Sequence, residues 1–181
     1  MRGVIYVTEQ RLSEIQLARV KKDEFEAFKK QSSLSFLKGL KETFPEQAHP
    51  ENFAPVPSEQ DYNESFYSDN AHIYYFYLNG ENIGGAIFEI DKENNRNHVD
   101  TLYINDNVHG KGIGTKVWKA IENHFPETKV WELHTPYFEK RNIHFYVNKC
   151  NFHITGFYKE MFDVNGVEKE FEFFKFEKVM I

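Results

Sequence analysis

The chain has one cysteine, Cys150. It cannot form a disulfide within the chain, which fits a reducing compartment, and a cytoplasmic location is expected. No apolar run approaches the roughly 18 residues that a membrane-spanning helix needs. The opening MRGVIYVTEQ has one arginine and too short an apolar stretch for a signal peptide. The eight histidines never fall at H-x-x-x-H or H-E-x-x-H spacing, so no metal site is expected. Positive charge is the scarcer sign, 22 Lys and Arg against 28 Asp and Glu, a net charge of −6. That balance repels phosphate backbones, argues against a nucleic-acid partner and is compatible with a cationic one. Internal repeats and low-complexity linkers are missing too, and 181 residues suit one domain.

Aromatic residues are plentiful. They make up 17% of the chain and 18 of them are Phe, which reads as core packing between a sheet and helices. Ile15–Val20 reads as a first strand. Asp23–Leu40 is helical, with Phe25, Phe28, Leu34 and Leu37 as its apolar positions. Phe44–Ser58 carries four prolines and reads as a loop able to act as a lid. Asp61–Ser68 reads as a short helix. Ala71–Leu78, the turn dipeptide Asn79–Gly80 and Ile83–Asp91 form a hairpin. His98–Ile104 is a further strand, followed by a helix over Thr115–Phe125 that Pro126 stops. Lys129–His134 is a short strand and Arg141–Cys150 a helix. Phe152–Val164, Asn165–Gly166 and Lys169–Val179 close the chain as a hairpin. The order predicts an α/β (α+β) mixed sheet with helices on both faces. One βαβ unit, His98 to His134, makes its two strands parallel. Met1–Leu12 is unplaced.

The most informative stretch runs from Leu102 to Thr115. A strand enters a loop holding Gly110, Gly112 and Gly114, and the loop opens a helix. Glycines there let the backbone turn tightly and come close to a ligand. Free N–H groups at a helix start, backed by its positive dipole end, suit phosphate or pyrophosphate. The spacing matches neither G-x-G-x-x-G nor G-x-x-x-x-G-K-[ST]. A plain tight turn before a helix is the alternative.

His109-x-x-Gly112-x-Gly114 resembles the Gln/Arg-x-x-Gly-x-Gly/Ala signature of the GNAT superfamily of N-acetyltransferases. His109 departs from it where the family favours Gln or Arg, and Asp106 stands where many members have Pro. Downstream, Asn142, Tyr146, Asn151 and Phe152 resemble the family's second signature, roughly Asn-x-x-x-x-Tyr-x-x-x-Gly-Phe, spaced here as Asn-x-x-x-Tyr-x-x-x-x-Asn-Phe with Asn151 in place of Gly. The resemblance covers Leu102–Phe157. It implies a GNAT acyl-CoA N-acyltransferase fold, mostly antiparallel with one splayed parallel pair, and acetyl-CoA (coenzyme A) as co-substrate.

Acyl transfer to an amine needs a grip on the cofactor, a base for the ammonium, a donor for the oxyanion and an acid for the leaving sulfur. The resemblance implies cofactor contacts from Tyr103 and Ile104 on the strand, and from His109, Gly110, Lys111, Gly112, Ile113, Gly114 and Thr115 on the loop and helix start. A strand amide would donate to the oxyanion. Asn142 matches a cofactor-touching position, though Asn also suits a helix N-cap. Tyr146 matches the usual acid. For the base, Asp100 leads, with His98, Glu89, Glu132 and His134 as further strand candidates. The expected acceptor is a small-molecule, polyamine or peptide amine, with no nucleic acid and no membrane; a homodimer is compatible. Asp61, Glu64 and Asp69 could hold a second positive group of a polycation. The alternative function is a non-catalytic acyl-CoA sensor on the same fold.

Overall fold

The computed structural model describes residues 14–54, 56–105, 108 and 112–181. Met1–Leu12, Asp106, His109, Gly110 and Lys111, for which the sequence carries expectations, lie outside those residues.

Two Asn-Gly turns set the hairpins. Asn79 and Gly80 have φ of 54° and 82°, and Asn165 and Gly166 have 57° and 78°. Paired positive φ gives the turn whose twist matches antiparallel strands. The first turn joins β2 (Ala71–Leu78) to β3 (Glu81–Glu89), and the second joins β6 (His153–Val164) to β7 (Val167–Val179). The other elements are β1 (Gln16–Arg19), α1 (Phe25–Thr43), α2 (Glu59–Tyr67), β4 (Arg96–Ile104), α3 (Ile113–His124), β5 (Val130–Pro136) and α4 (Lys140–Cys150). Short 3-10 turns at Lys22–Glu24 and Pro50–Asn52 precede and follow α1.

The strands form one sheet in the order β1-β2-β3-β4-β5-β7-β6. Every neighbouring pair is antiparallel except β4 with β5. The α3 crossover between those two strands imposes their parallel direction. Their register covers only Arg96↔Val130 through Val99↔Leu133. Beyond it β4 stays with β3, to Gly84↔Ile104, while β5 stays with β7, to Pro136↔Phe173. The sheet therefore splits at its centre.

Each face of the sheet carries its own core. On one, α3 buries Val117, Trp118 and Ile121 against Phe88, Trp131 and Leu133, and α4 adds Tyr146 and Cys150. On the other, Phe28 of α1 and Tyr62 and Phe66 of α2 pack on Ile73, Tyr75, Ile87 and Tyr103. Ser58 caps α2 by accepting from the Asp61 N–H, and the Asp61 carboxylate accepts from the Ser58 N–H. The reciprocal capping box starts α2 two residues before the expected Asp61.

Two expectations about side chains fail. Leu34, taken as part of the apolar face of α1, is 58% exposed. Of the inward side of α1, Phe28 and Leu40 are buried, whereas the strip toward the cavity carries Ser32, Ser35 and Gly39 beside Phe36 and leaves room for a cavity. The phenylalanines are also not all core: Phe53 and Phe157 are about half exposed, and several more line the open half of the α1/α2 face.

Candidate active site

The α3 helix starts at the end of the split. Gly112 is its N-cap with φ 69°, and a Cβ placed there would meet nothing within 4 Å. The requirement for glycine is thus conformational, and the space beside it is open. Lys116 N–H makes the first helical bond, to Gly112 O at 3.2 Å. The amides of Ile113, Gly114 and Thr115 lie before that bond, at the positive end of the helix. Gly114 also has a packing role. A Cβ on it would lie 2.9 Å from the Phe145 ring, so it allows α3 and α4 to pack closely.

These elements enclose a cavity of about 530 Å³ between α1, β4 and the starts of α3 and α4. Tyr103, Ile104, Gly112, Ile113, Gly114, Thr115, Asn142 and Tyr146 all line it. The volume suits a sizeable ligand, and donor amides at one end suit an anionic group on it. The contributions differ in kind. The Ile113 side chain belongs to the α3 core, and the Tyr103 phenol crosses to the other face, donating to Gln31 Oε1 at 3.3 Å. Both residues therefore offer backbone to the cavity.

Asn142 is not the cap of α4. Glu139 occupies that position, and Asn142 stands three residues later, donating to the Glu139 carboxylate at 3.3 Å. That removes the capping explanation and leaves Asn142 as a cavity residue. Tyr146 is 8% exposed. Burial is the main force pushing its phenol above its ordinary value, so it stays protonated and keeps a proton to donate.

Sequence reasoning missed Glu139. This acid is 8% exposed and lines the cavity, and burial raises its carboxyl above the ordinary range, with Arg141 opposing. It stands just ahead of the second motif, and an acid there was a visible signal. Arg141 reaches across the cavity mouth to pair with Glu42 of α1. The row Ser32, Ser35, Gly39 was also legible as a helix face of small residues.

The base candidates stand apart from the cavity lining, at the apex of the split on the α1/α2 face. Asp100 sits where the β3–β4 register slips, between Val99 and Thr101. Its carboxylate accepts from Ser65 Oγ at 2.9 Å and Thr101 Oγ1 at 3.3 Å. Crowding raises the carboxyl, opposed by Ser65 and His98; the residue's surface is solvent exposed, which limits the rise. The His98 and His134 rings stand edge to face, 5.4 Å apart. Burial lowers both imidazoles, which favours their neutral forms. Tyr158 hydrogen-bonds His134 Nδ1 at 2.7 Å. Glu132 is occupied: burial disfavours its charge, yet Arg96 and Lys175, at 2.5 Å and 3.2 Å, hold it below the ordinary range.

The acidic set expected to hold a polycation is not assembled. Asp61 is used in the α2 cap, Glu64 accepts from Gln60, and Asp69 lines a separate groove with His72 and Asp91. Among the described residues no group of three His, Cys, Asp or Glu is placed to hold a metal ion, and no helix is long and apolar enough to cross a membrane.

The chain is similar to known proteins along most of its length. It is 39% identical to the uncharacterized protein YrkN of Bacillus subtilis (strain 168) over 175 residues, 91% of this chain and 92% of that one. Its fold is similar to a spermidine N-acetyltransferase from Vibrio cholerae solved with CoA and spermine, with TM-score 0.65 and 14% identity, covering 92% of this chain and 95% of that one. It is also similar to a Salmonella typhimurium acetyl transferase that modifies the N-terminal serine of ribosomal protein L7/L12, with TM-score 0.66 and 13% identity over 94% and 98% of the two chains. At such identities these structures establish the fold. The sequence profile of the acetyltransferase (GNAT) family matches residues 35–152, well over half of the chain, and the protein belongs to that family.

Proposed function

We propose that the protein is an N-acetyltransferase that moves the acetyl group of acetyl-CoA to a primary amine. The observation that carries this reading is the split between β4 and β5, which joins a helix-start cradle and cavity on one side to titratable groups on the other. The cavity fits coenzyme A on two grounds. The open space at Gly112, with the amides of Ile113, Gly114 and Thr115 behind it, suits a pyrophosphate. The slot beyond Val99↔Leu133 suits an extended amide-bearing arm.

When bound, acetyl-CoA supplies an activated thioester carbonyl. The chain does the rest. The His109–Thr115 segment would hold the diphosphate, Tyr103 and Ile104 would present strand backbone to the arm, and Asn142 would present its amide from α4. An amide of the split strand is the oxyanion donor. Tyr146, protonated and buried, holds the proton for the departing sulfur. Asp100 takes the ammonium proton at the apex, directly or through water, with His98 beside it.

The test is mass-spectrometric detection of acetylated product with acetyl-CoA and a mixed amine library, with rate measured against pH. Product forms on primary amines, and the rate climbs between about pH 6 and 9 as the nucleophile loses its proton. Cofactor binding without product would favour the sensor alternative, and acylation of hydroxyl acceptors alone would remove the amine assignment.

A further inference from the structure

The half of the α1/α2 face that no helix core covers carries a continuous aromatic row. On β7, Phe174 and Phe176 pack into the α3/α4 core. By strand alternation Phe171 and Phe173 point to the opposite face, as His134 does beside buried Leu133. The row begins at the apex. His134 meets Tyr158 with ring centroids 5.3 Å apart, and Tyr158 stacks on Phe173 at 5.4 Å and 16°. Phe162 meets Phe173 at 5.5 Å and Phe171 at 6.0 Å, and Phe171 meets Phe138 at 6.5 Å. Apart from buried Phe173, these Phe and Tyr residues are half-buried and still present apolar surface.

The segment after α1 reaches across to this row. Asn165 at the β6–β7 turn donates to Asn52 Oδ1 at 2.7 Å, and Lys169 donates to Asn52 O at 3.1 Å. Lys169 also lies 5.6 Å from the centre of the Phe53 ring. The loop is thereby pinned at the far end of the row, with the split at the near end. At the apex end of the row two carboxylates are already matched: Glu132 and Glu177 are held by Arg96 and Lys175. A polyamine would find those two carboxylates taken.

We infer that the aromatic row is the floor of the acceptor site and that the acceptor is a monoamine carrying an aromatic body, its nitrogen at the His134 end and its ring over Tyr158, Phe162 and Phe171, with buried Phe173 beneath them. The inference rests on the acetyltransferase reading above and deepens it. It assigns Phe162, Phe171 and Tyr158 as specificity determinants, and it gives the pinned loop the function of closing the far end of the site.

The experiment compares kcat/KM for phenethylamine, ethylamine and spermidine at saturating acetyl-CoA, with acetyl-CoA affinity measured by calorimetry in parallel. Burying a phenyl-sized group favours binding, so phenethylamine should exceed ethylamine in kcat/KM by about tenfold or more, and should exceed spermidine. In Phe162→Ala the ratio of phenethylamine to ethylamine falls by about tenfold. Phenethyl alcohol, which has the ring without the nucleophile, competes with phenethylamine in the unaltered protein, a readout that needs no variant. Intact acetyl-CoA binding with equal use of the three amines, or with spermidine preferred, would overturn this inference alone; intact binding with no amine acetylated would overturn it together with the acetyltransferase reading. Loss of acetyl-CoA binding would overturn it together with the reading beneath it.

Discussion

The two faces of the sheet are built from similar residues but used differently. On the α3/α4 face aromatic and aliphatic groups close into a dry core around Trp118, Trp131 and Phe152, each at most 2% exposed. The functional groups there are mainly backbone: a left-handed glycine, three helix-start amides and a strand edge. On the α1/α2 face the helices cover β2 to β4, and β5, β7 and β6 are left with half-buried rings, imidazoles and a paired charge network. The first face needs geometry that hardly depends on side chains, whereas the second takes its character entirely from them. A family can therefore keep the first while the second is rebuilt for a new acceptor.

The comparison can be broken from the cofactor side first. Gly112→Asp puts a negative side chain into the open space beside the helix start, and acetyl-CoA affinity should drop by at least about a hundredfold from a micromolar wild type near −8 kcal/mol. Gly112→Ala separates the causes. Its methyl group meets nothing, so it should fold at a cost of about 1 kcal/mol for the left-handed backbone and keep most of the affinity. Calorimetry on both variants, with folding checked by circular dichroism, reads the result. An unchanged affinity in a folded Gly112→Asp variant would remove the cradle.

Tyr146→Phe tests the one side chain of the first face assigned to chemistry. The ring still packs against Phe152 and Phe176, at 5.7 Å and 5.9 Å, and only the proton donor is lost. Turnover should fall by ~10²–10⁴-fold with little change in acetyl-CoA affinity. A rate within about twofold of wild type, with chemistry rate-limiting, would place the acid elsewhere, and Glu139 is the next group in the cavity.

The smallest effect is on stability and concerns Glu139. Its ordinary value is 4.5 and burial raises it in the folded chain. The folded state therefore keeps its proton to higher pH than the unfolded state does. Stability falls as pH rises from about the ordinary carboxylate value through the raised one, and stays lower above it. Glu139→Gln removes the ionisation while keeping an oxygen for Asn142. The variant should match wild type in melting temperature near pH 4 and exceed it by a few degrees near pH 8. Equal pH dependence in the two proteins would mean that the carboxyl is not destabilised by burial.

Much of the fold was legible because local chemistry enforces it. The Asn-Gly pairs dictated both hairpins, the glycine loop announced the α3 start, and Asn151, at φ 60°, fills the left-handed position where the family favours Gly. The cofactor half was readable for the same reason: a backbone site leaves its mark as glycine spacing. Leu34 was misread because α1 turns a small-residue strip toward the cavity, and apolar periodicity assumes that a helix fills the space it faces. The acceptor half was not readable. His134, Tyr158, Phe173 and Phe162 lie on three strands, and only the sheet order brings them into one row. Period two did place His98 and Asp100 near one another, but it could not anticipate the register slip at Asp100.

Hydrogen exchange on adding acetyl-CoA tests the central claim most directly. The claim predicts slowed exchange at the amides of Thr101–Ile104 and Ile113–Thr115, the two backbone segments lining the cavity at the split and the helix cradle, at saturating cofactor. Protection confined to other regions, such as the groove beside His72 and Asp91, or no protection at all, would contradict it.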